Sequence, residues 1–146
     1  MKTIKKYPKK YINKLSVKDK KKQLKALNKS TKSYKKGKYY ERPKMKSFKN
    51  KKSSWTQKFH KLYPEVKTLK QIEKVTGIPK KALMAVKKKG MGAYYSSGSR
   101  PNQTAESWGK ARMYAYIFGS PTRKVDYHIT KKYKVKFKYK PNYYSY

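Results

Sequence analysis

Positive charge limits how this chain can fold more than any other feature of its sequence. Lysine and arginine together number 43 against six acidic residues, which gives a formal net charge of +37 over 146 residues. Repulsion among so many cations opposes a compact state unless a polyanion or an acidic partner neutralises it. A chain of this length can form one domain at most, so we expect a small core flanked by basic arms.

The charge is uneven along the chain, and this unevenness suggests where the core lies. Residues 1–58 hold 23 basic and two acidic residues, residues 59–130 hold 14 and four, and residues 131–146 hold six and none. We interpret 1–53 as a basic arm with one amphipathic helix, 54–130 as a small helical domain and 131–146 as a basic strand or tail. The predicted fold class is mainly α, with a helix-turn-helix-like hairpin, a glycine-rich loop, extended arms and a candidate C-terminal β-strand.

The basic arm contains one well-marked helix. Ser16 and Asp19 have the spacing of a capping box, and the helix should end before Gly37. Its apolar side chains fall on one narrow stripe, which is too thin to stabilise an isolated helix and therefore needs a partner surface. The residues of this stripe are Val17, Leu24, Leu27 and Tyr34.

Residues 68–89 have the pattern of two short helices joined by a glycine turn. Thr68 opens a capping box, Gly77 turns the chain, and Pro79 suits the first position of the second helix. The arrangement resembles a helix-turn-helix, whose second helix would lie against DNA. A plain helical hairpin is the alternative, because Glu73 stands where that motif usually packs a small residue. In the DNA-reading interpretation the contacting residues are Lys80, Lys81, Lys87, Lys88 and Lys89.

The lysine run stops at a glycine-rich segment, residues 90–103, which we predict to be a loop that leads into a helix starting near Thr104. Its glycines permit backbone angles closed to other residues, and the Arg-Pro-Asn sequence at 100–102 is typical of a turn. The two arginines of the region, Arg100 and Arg112, join the candidates for binding a polyanion. The residues expected to shape the loop and the helix are Gly90, Gly92, Gly98, Pro101 and Trp108.

Tyrosine and lysine alternate or adjoin in both arms, which is typical of a surface that contacts partners. Lysine with aromatic rings can follow phosphates while bases stack, and tyrosine is equally an anchor in protein interfaces. The strict alternation at 133–139 is the period of a strand with one apolar and one cationic face. Such a strand needs a sheet edge, which another protein could supply. The predicted interface residues are Tyr39, Tyr40, Phe48, Tyr133, Val135, Phe137 and Tyr139.

The residues needed for catalysis or metal binding are scarce. There is no cysteine, the two histidines lie far apart at His60 and His128, and the six acids are scattered. We therefore expect no enzyme activity, no metal and no cofactor. No run approaches the roughly 18 apolar residues of a membrane span, and the N-terminus lacks the apolar region of a secretory signal.

Four segments carry a resemblance to a known family. They are TGIPKK (76–81), KGMGAYYSSGSRP (89–101), WGKAR (108–112) and the region of Asp126, and KGKYY (36–40) is similar to a lysine-rich lead-in of such proteins. Together they resemble an uncharacterised small basic domain family of large DNA viruses of algae and amoebae, with relatives in some phages. The resemblance implies a virion protein, present in host cytoplasm or nucleus during assembly, and implies no mechanism. The family-like positions are Gly90, Gly92, Gly98, Arg100, Pro101, Trp108 and Arg112.

Two functions follow from these features. The first is a non-enzymatic structural protein of the virus particle, a minor capsid or core protein whose arms bridge neighbours or a polyanionic surface. The alternative is a DNA-binding protein for genome condensation or transcription, which would use residues 68–89 and the basic arms. Expected partners are other virion proteins, with nucleic acid and an anionic membrane surface left open. Since only four of the 43 cations are arginine, neutralising a surface is favoured over reading a base sequence.

Overall fold

The structure, a computed structural model, describes residues 7–48 and 53–140 and is mainly helical, which confirms the predicted fold class. These ranges contain seven α-helices, one short 3-10 helix (Lys9–Tyr11) and no β-strand. The α-helices are α1 (Val17–Lys35), α2 (Ser54–Leu62), α3 (Leu69–Thr76), α4 (Lys80–Ser96), α5 (Ala105–Phe118), α6 (Thr122–Val125) and α7 (Tyr127–Lys132).

The predicted capping residues begin two of the helices. The Ser16 hydroxyl accepts a hydrogen bond from the backbone N–H of Asp19 at 3.2 Å, which starts α1. Thr68 and Gln71 form a complete capping box at the start of α3, because each side chain accepts from the other residue's backbone N–H. Three glycines with positive φ follow helix ends: Gly37 (76°) and Gly77 (75°), as predicted, and also Gly119 (87°).

The contacts divide the described chain into two compact units. One consists of residues 7–48 with 91–108, and the other of residues 53–90 with 109–140. Helices α4 and α5 each contribute residues to both units. The division into arm, domain and tail inferred from charge follows composition, whereas the units follow contacts, so the segment predicted to be an N-terminal arm supplies most of the first unit.

The second unit is built around the C-terminal half of α5. Residues 113–118 are all buried, so this part of the helix is apolar on every side, as a central helix is expected to be. Phe59 of α2 stacks on Tyr114 with ring centroids 4.6 Å apart, and Trp55 lies 6.3 Å from Phe118. The α3–α4 hairpin adds Ile72, Ile78, Ala82, Leu83 and Val86 to the same core.

The first unit has a smaller core in which polar side chains take part. Leu27 and Met45 are almost completely buried, and Tyr94 is 1% exposed. The predicted apolar stripe of α1 is wrong for two of its four members, since Val17 is 73% exposed and Tyr34 is 36% exposed, whereas Leu27 is buried and Leu24 half-buried. Hydrogen-bonding side chains occupy much of the face that α1 buries, which comprises Asp19, Gln23, Ala26, Leu27, Ser30 and Thr31.

The first half of the glycine-rich segment is helix, which corrects the predicted loop over 90–96, whereas 97–103 form no helix. Helix α4 continues to Ser96, so Gly90 and Gly92 are helical, and only Gly98 has the expected positive φ, 92°. The glycine at 90 serves a close approach instead. A Cβ added there would lie 2.8 Å from the Cα of Gly109 on α5, a distance that side chains do not tolerate.

The tail after α7 forms no strand over its described residues, so the predicted β-strand at 131–146 is wrong within 131–140; residues 141–146 lie outside the described ranges. The alternation has another cause. Val135 is buried in the second unit, Phe137 meets Tyr116 with centroids 5.1 Å apart, and Tyr139 meets Phe118 at 4.9 Å. The apolar side chains therefore cover the unit's own helices while the intervening lysines face solvent.

The two helical glycines should respond oppositely to alanine. Gly90→Ala is expected to lower the free energy of unfolding by about 1–3 kcal/mol, because the new methyl group meets backbone. Gly92→Ala is expected to be neutral or stabilising by up to about 1 kcal/mol, since its Cβ would meet only the Tyr34 hydroxyl, at 3.5 Å, and alanine favours helix. Chemical denaturation of both variants checks this; equal effects would mean that the α4–α5 contact at Gly90 is not tight.

Candidate polyanion-binding surface

Helix α1 and its C-cap residue Lys36 carry a continuous row of lysines beside the buried face of the helix. Their spacing of 4, 3, 4, 3 and 4 residues keeps them on one face of a helix, and all six are exposed. The row extends about 27 Å at 1.5 Å per residue. We call this row the lysine stripe; its members are Lys18, Lys22, Lys25, Lys29, Lys32 and Lys36.

Two shallow grooves flank the middle of the lysine stripe. The larger, about 480 Å³, has mainly basic and polar walls, formed by Lys25, Asn28, Lys29, Lys32, Ser33, Lys36 and Lys38. The smaller, about 340 Å³, has a more apolar floor and is lined by Lys22, Lys25, Ala26, Lys29, Tyr40, Pro43, Lys44 and Met45. Both grooves are therefore rimmed by lysine and contain no carboxylate.

Asp19 lies near Lys18 and Lys22 at the start of the lysine stripe, and in the described ranges no ion pair joins an acid to Lys25, Lys29, Lys32 or Lys36. The single acid of α1, Asp19, accepts hydrogen bonds from the hydroxyl and the backbone N–H of Ser47, the latter at 3.0 Å. These two bonds hold the pKa of the Asp19 carboxyl below its usual value, with a smaller effect from nearby lysines. Asp19 thus anchors the segment after α1 to the start of the helix, and the middle of the stripe is left without a counter-charge.

Arg42 fixes the connector between α1 and α2 to the first unit. Its guanidinium donates to the Ser30 hydroxyl at 2.9 Å, to the Tyr94 carbonyl at 2.7 Å and to the Ser99 hydroxyl at 2.6 Å. It also lies 3.8 Å above the ring of Tyr94. Burial lowers the pKa of Arg42, although an arginine stays charged at any physiological pH. Sequence analysis assigned Arg42 no role, because none of its partners is near it in sequence.

Three tyrosines form a cluster where α1 ends. Tyr34 and Tyr95 are stacked nearly parallel, with centroids 6.2 Å apart, and Tyr39 lies 4.9 Å from Tyr95. Tyr39 is 71% exposed, so much of its ring is in solvent. Burial, followed by the Glu41 carboxylate, raises the pKa of Tyr95. Tyr40, the other predicted interface residue here, faces the smaller groove, where the ammonium of Lys29 lies 4.5 Å from its ring.

Asn102, in the turn at the end of the glycine-rich segment, also holds the connector between α1 and α2 in place. Asn102, which has φ of 62°, accepts from the Met45 backbone N–H at 2.6 Å and donates to the Met45 carbonyl at 3.1 Å. Phe48 is half-buried at the end of this described segment. Pro101 is buried, and Trp108 packs edge-on against Tyr11 at 6.1 Å. These residues shape the first unit, and Arg100 is exposed beside them.

The lysines predicted to contact DNA on the second helix of the hairpin belong to the second unit, whereas the lysine stripe belongs to the first. Lys80, Lys81, Lys88 and Lys89 are exposed on the part of α4 that belongs to the second unit, and Lys87 is half-buried. The Glu73 carboxylate accepts a hydrogen bond from the backbone N–H of Lys80, so it caps the start of α4. The residue that departs from the helix-turn-helix pattern therefore stabilises the hairpin.

Arg112 contacts an acid and is not available as a free cation. Its guanidinium donates to both carboxylate oxygens of Asp126, at 2.9 and 2.7 Å, and the Asp126 side chain is completely buried. A bidentate pair of this kind holds α5 against the segment before α7. The sequence predicts that Arg112 binds a polyanion, whereas in the structure its guanidinium is engaged by Asp126 and has a structural role in the second unit.

Neither metal ligands nor a membrane-crossing helix are found among the residues that the structure describes. No group of three or more histidine, cysteine or acidic side chains is positioned to hold a metal ion. No helix of the described ranges combines the length and the apolar character that crossing a membrane requires. Exposed lysine is therefore the main chemical feature that the described surface offers to a ligand.

Residues 8–139 match one protein family, described as a family of unknown function, DUF5824. The chain belongs to this family. The match spans residues of both compact units, including α1 and the α3–α4 hairpin of this chain. No curated protein and no solved structure matches the chain at a significant level. The viral origin implied by the sequence resemblance stays a prediction.

Replacing Arg42 by lysine should destabilise the first unit although the charge is kept. A single ammonium cannot reach the hydroxyls of Ser30 and Ser99 together, so we expect a loss of about 1–3 kcal/mol in the free energy of unfolding. Lys44→Arg, the reverse exchange at an exposed position of the same connector, is the matched control and should stay within about 0.5 kcal/mol. Equal stability of the two variants would contradict the anchoring role of Arg42.

Proposed function

We propose that this chain is a non-enzymatic protein that binds nucleic acid through the phosphate backbone, with the lysine stripe of α1 as its main contact. The observation that carries the proposal is a row of six exposed lysines, about 27 Å long, in which Lys25, Lys29, Lys32 and Lys36 have no ion pair with an acid in the described ranges. Like charges at helical neighbours cost a helix about 0.2–0.5 kcal/mol for each pair. A bound polyanion would turn that cost into attraction.

The composition of the surface favours nucleic acid over an acidic protein as the occupant. Protein interfaces are depleted in lysine and have an apolar centre. The larger groove has neither property, since five of its seven lining residues are lysine and the other two are Asn28 and Ser33. A straight row of positive charges at regular spacing suits a nucleic-acid strand, which repeats one negative charge per nucleotide.

The type of cation favours the backbone over the base edges. Reading bases in a groove relies on the planar fork of arginine, and the lysine stripe contains no arginine. Three of the chain's four arginines have structural roles in the described fold. Arg42 holds the connector, Arg112 pairs with Asp126, and the buried Arg123 donates to the carbonyls of Tyr116 and Ile117. Binding without strong sequence preference is therefore expected, with affinity that falls steeply as salt rises.

The setting implied by the sequence resemblance gives this binding a role. In a large DNA virus, a protein of this kind would be a minor capsid or core protein that bridges the genome and its neighbours. Structural use of the chain in a particle and binding of nucleic acid are compatible, because the lysine stripe engages only one face of α1 in the first unit. The particle role rests on the resemblance alone and remains part of the proposal.

Neutralising the lysine stripe should weaken binding more than neutralising the hairpin. The variant carries Gln at Lys25, Lys29, Lys32 and Lys36, and the matched control carries Gln at Lys80, Lys81, Lys88 and Lys89, so both lose four charges. We expect the slope of log affinity against log salt for a 30-base-pair duplex to fall by about three for the stripe variant, with a loss of about ten-fold or more in affinity at 0.1 M salt. The control should change little beyond the general loss of charge.

The same measurement of duplex affinity against salt tests the alternative, in which residues 68–89 make the main contact with DNA. A larger loss in the hairpin variant, together with lost preference among duplexes of different sequence, would transfer the contact to the helix-turn-helix-like segment. Circular dichroism of both variants is the control that checks whether the helices are retained. Exposed lysines replaced by glutamine should leave the helical signal intact, because the two residue types have similar helix propensities.

The particle setting has its own measurement. Purified particles of the source virus are opened gently, the salt is raised in steps, and each fraction is probed for this chain. If the chain acts on the genome, it leaves with the nucleic acid and is released as salt rises. Retention on emptied shells would assign it to the capsid, and its absence from particles would contradict the virion role.

A further inference from the structure

Two consecutive tyrosines of the connector follow Lys38: Tyr40 lies beside the lysine stripe, and Tyr39 lies in the tyrosine cluster where α1 ends. Tyr40 lines the smaller groove with Lys22, Lys25 and Lys29, and Tyr39 precedes it in the cluster with Tyr34 and Tyr95. Lys38, which lines the larger groove, is the next residue towards α1. Aromatic faces and phosphate-binding cations therefore occur together over a few residues of the first unit.

The ring of Tyr39 is exposed although its position is well defined by neighbours. Tyr39 is 71% exposed, and its ring centroid lies 4.9 Å from that of Tyr95 and 6.1 Å from that of Tyr34. Gly92 leaves room for this cluster, since the Tyr34 hydroxyl lies 3.5 Å from where a Cβ would be. A large aromatic side chain held in solvent by other rings is a platform on which another flat group can stack.

Tyr40 offers a second ring within the basic groove itself. Its neighbours there are the apolar side chains of Pro43 and Met45 and the rim lysines, including Lys44. The ammonium of Lys29 lies 4.5 Å from the ring, so a phosphate bound by Lys29 would place its base close to Tyr40. The connector that carries both tyrosines is fixed by Arg42, which limits the entropy lost on binding.

We infer that the preferred ligand is single-stranded nucleic acid, whose phosphates follow the lysine stripe while unpaired bases stack on Tyr39 and Tyr40. This inference rests on the proposed function, because it names the form of nucleic acid that the function leaves open. In a duplex the base faces are covered by neighbouring base pairs, whereas an unpaired base has a free face. Stacking is tolerant of sequence, which agrees with a surface that lacks arginine forks.

Single-stranded 12-mers with and without bases provide the test. An oligothymidine and an abasic oligomer of the same length carry the same phosphates, so the ratio of their dissociation constants isolates the bases. We expect the full chain to bind the oligothymidine at least about five-fold more tightly. Polyglutamate of matched charge is the third probe, since it offers an acidic polypeptide to the same lysines.

The tyrosine variants locate the effect. Tyr39→Ala/Tyr40→Ala should remove most of the preference for bases and leave affinity for the abasic oligomer unchanged, while Tyr39→Phe/Tyr40→Phe should keep the preference. Tyr127→Ala, at an exposed tyrosine of the second unit that is 62% exposed, is the matched control and should behave as wild type. If the double alanine variant melts early, Tyr39→Ala alone serves, because this ring is mostly outside the core.

The possible failures are distinguishable. Equal affinity of the wild type for oligothymidine and abasic oligomer overturns the stacking inference and leaves the backbone contact of the lysine stripe in place. An equal loss in Tyr127→Ala also overturns it, since the rings of the first unit would then have no special part. Polyglutamate that binds as tightly as either oligomer overturns both the inference and the proposed function, in favour of an acidic protein partner.

Discussion

Repulsion among the lysines is the constraint under which the whole structure is assembled. With 43 cations against six acids, the fold cannot rely on surface ion pairs. The described lysines stay at least partly exposed, and three acids are used at defined structural positions. Asp19 binds Ser47, Glu73 caps the start of α4, and Asp126 holds Arg112. Cohesion then comes from aromatic packing and from hydrogen bonds within each unit, including those of a few charged groups that are held at fixed positions, such as Arg42.

The first unit shows how this constraint also produces a binding surface. One face of α1 is buried with the help of side chains such as Ser30 and Thr31, which find hydrogen-bond partners inside. Because that face contains no lysine, the lysines of α1 lie elsewhere on the helix, and six basic positions from Lys18 to Lys36 form a continuous row. Arg42 then ties the connector to the first unit, so the same arrangement that solves the packing problem places Tyr40 next to the charges.

Local chemistry was predictable from the sequence, and distant contacts were not. The cap at Ser16, the capping box at Thr68 and the glycine stops follow rules that involve three or four neighbouring residues. Gly90 was misassigned because its partner is Gly109, and the buried face of α1 was misassigned because polar side chains line it. Of the candidate site, Tyr39 and Tyr40 were identified. The lysine stripe was missed, although its 4-3-4-3-4 spacing is visible in the sequence.

The division into two units has a practical consequence for spectroscopy. The chain has two tryptophans: Trp55 lies in the second unit, against Phe118, and Trp108 in the first, against Tyr11. Each indole therefore reports the packing of a different set of helices. A protein retaining Trp108 alone would show by its emission when the lysine-bearing unit melts, and one retaining Trp55 alone would show the same for the other. Whether the units unfold together is thus encoded in two intrinsic fluorophores.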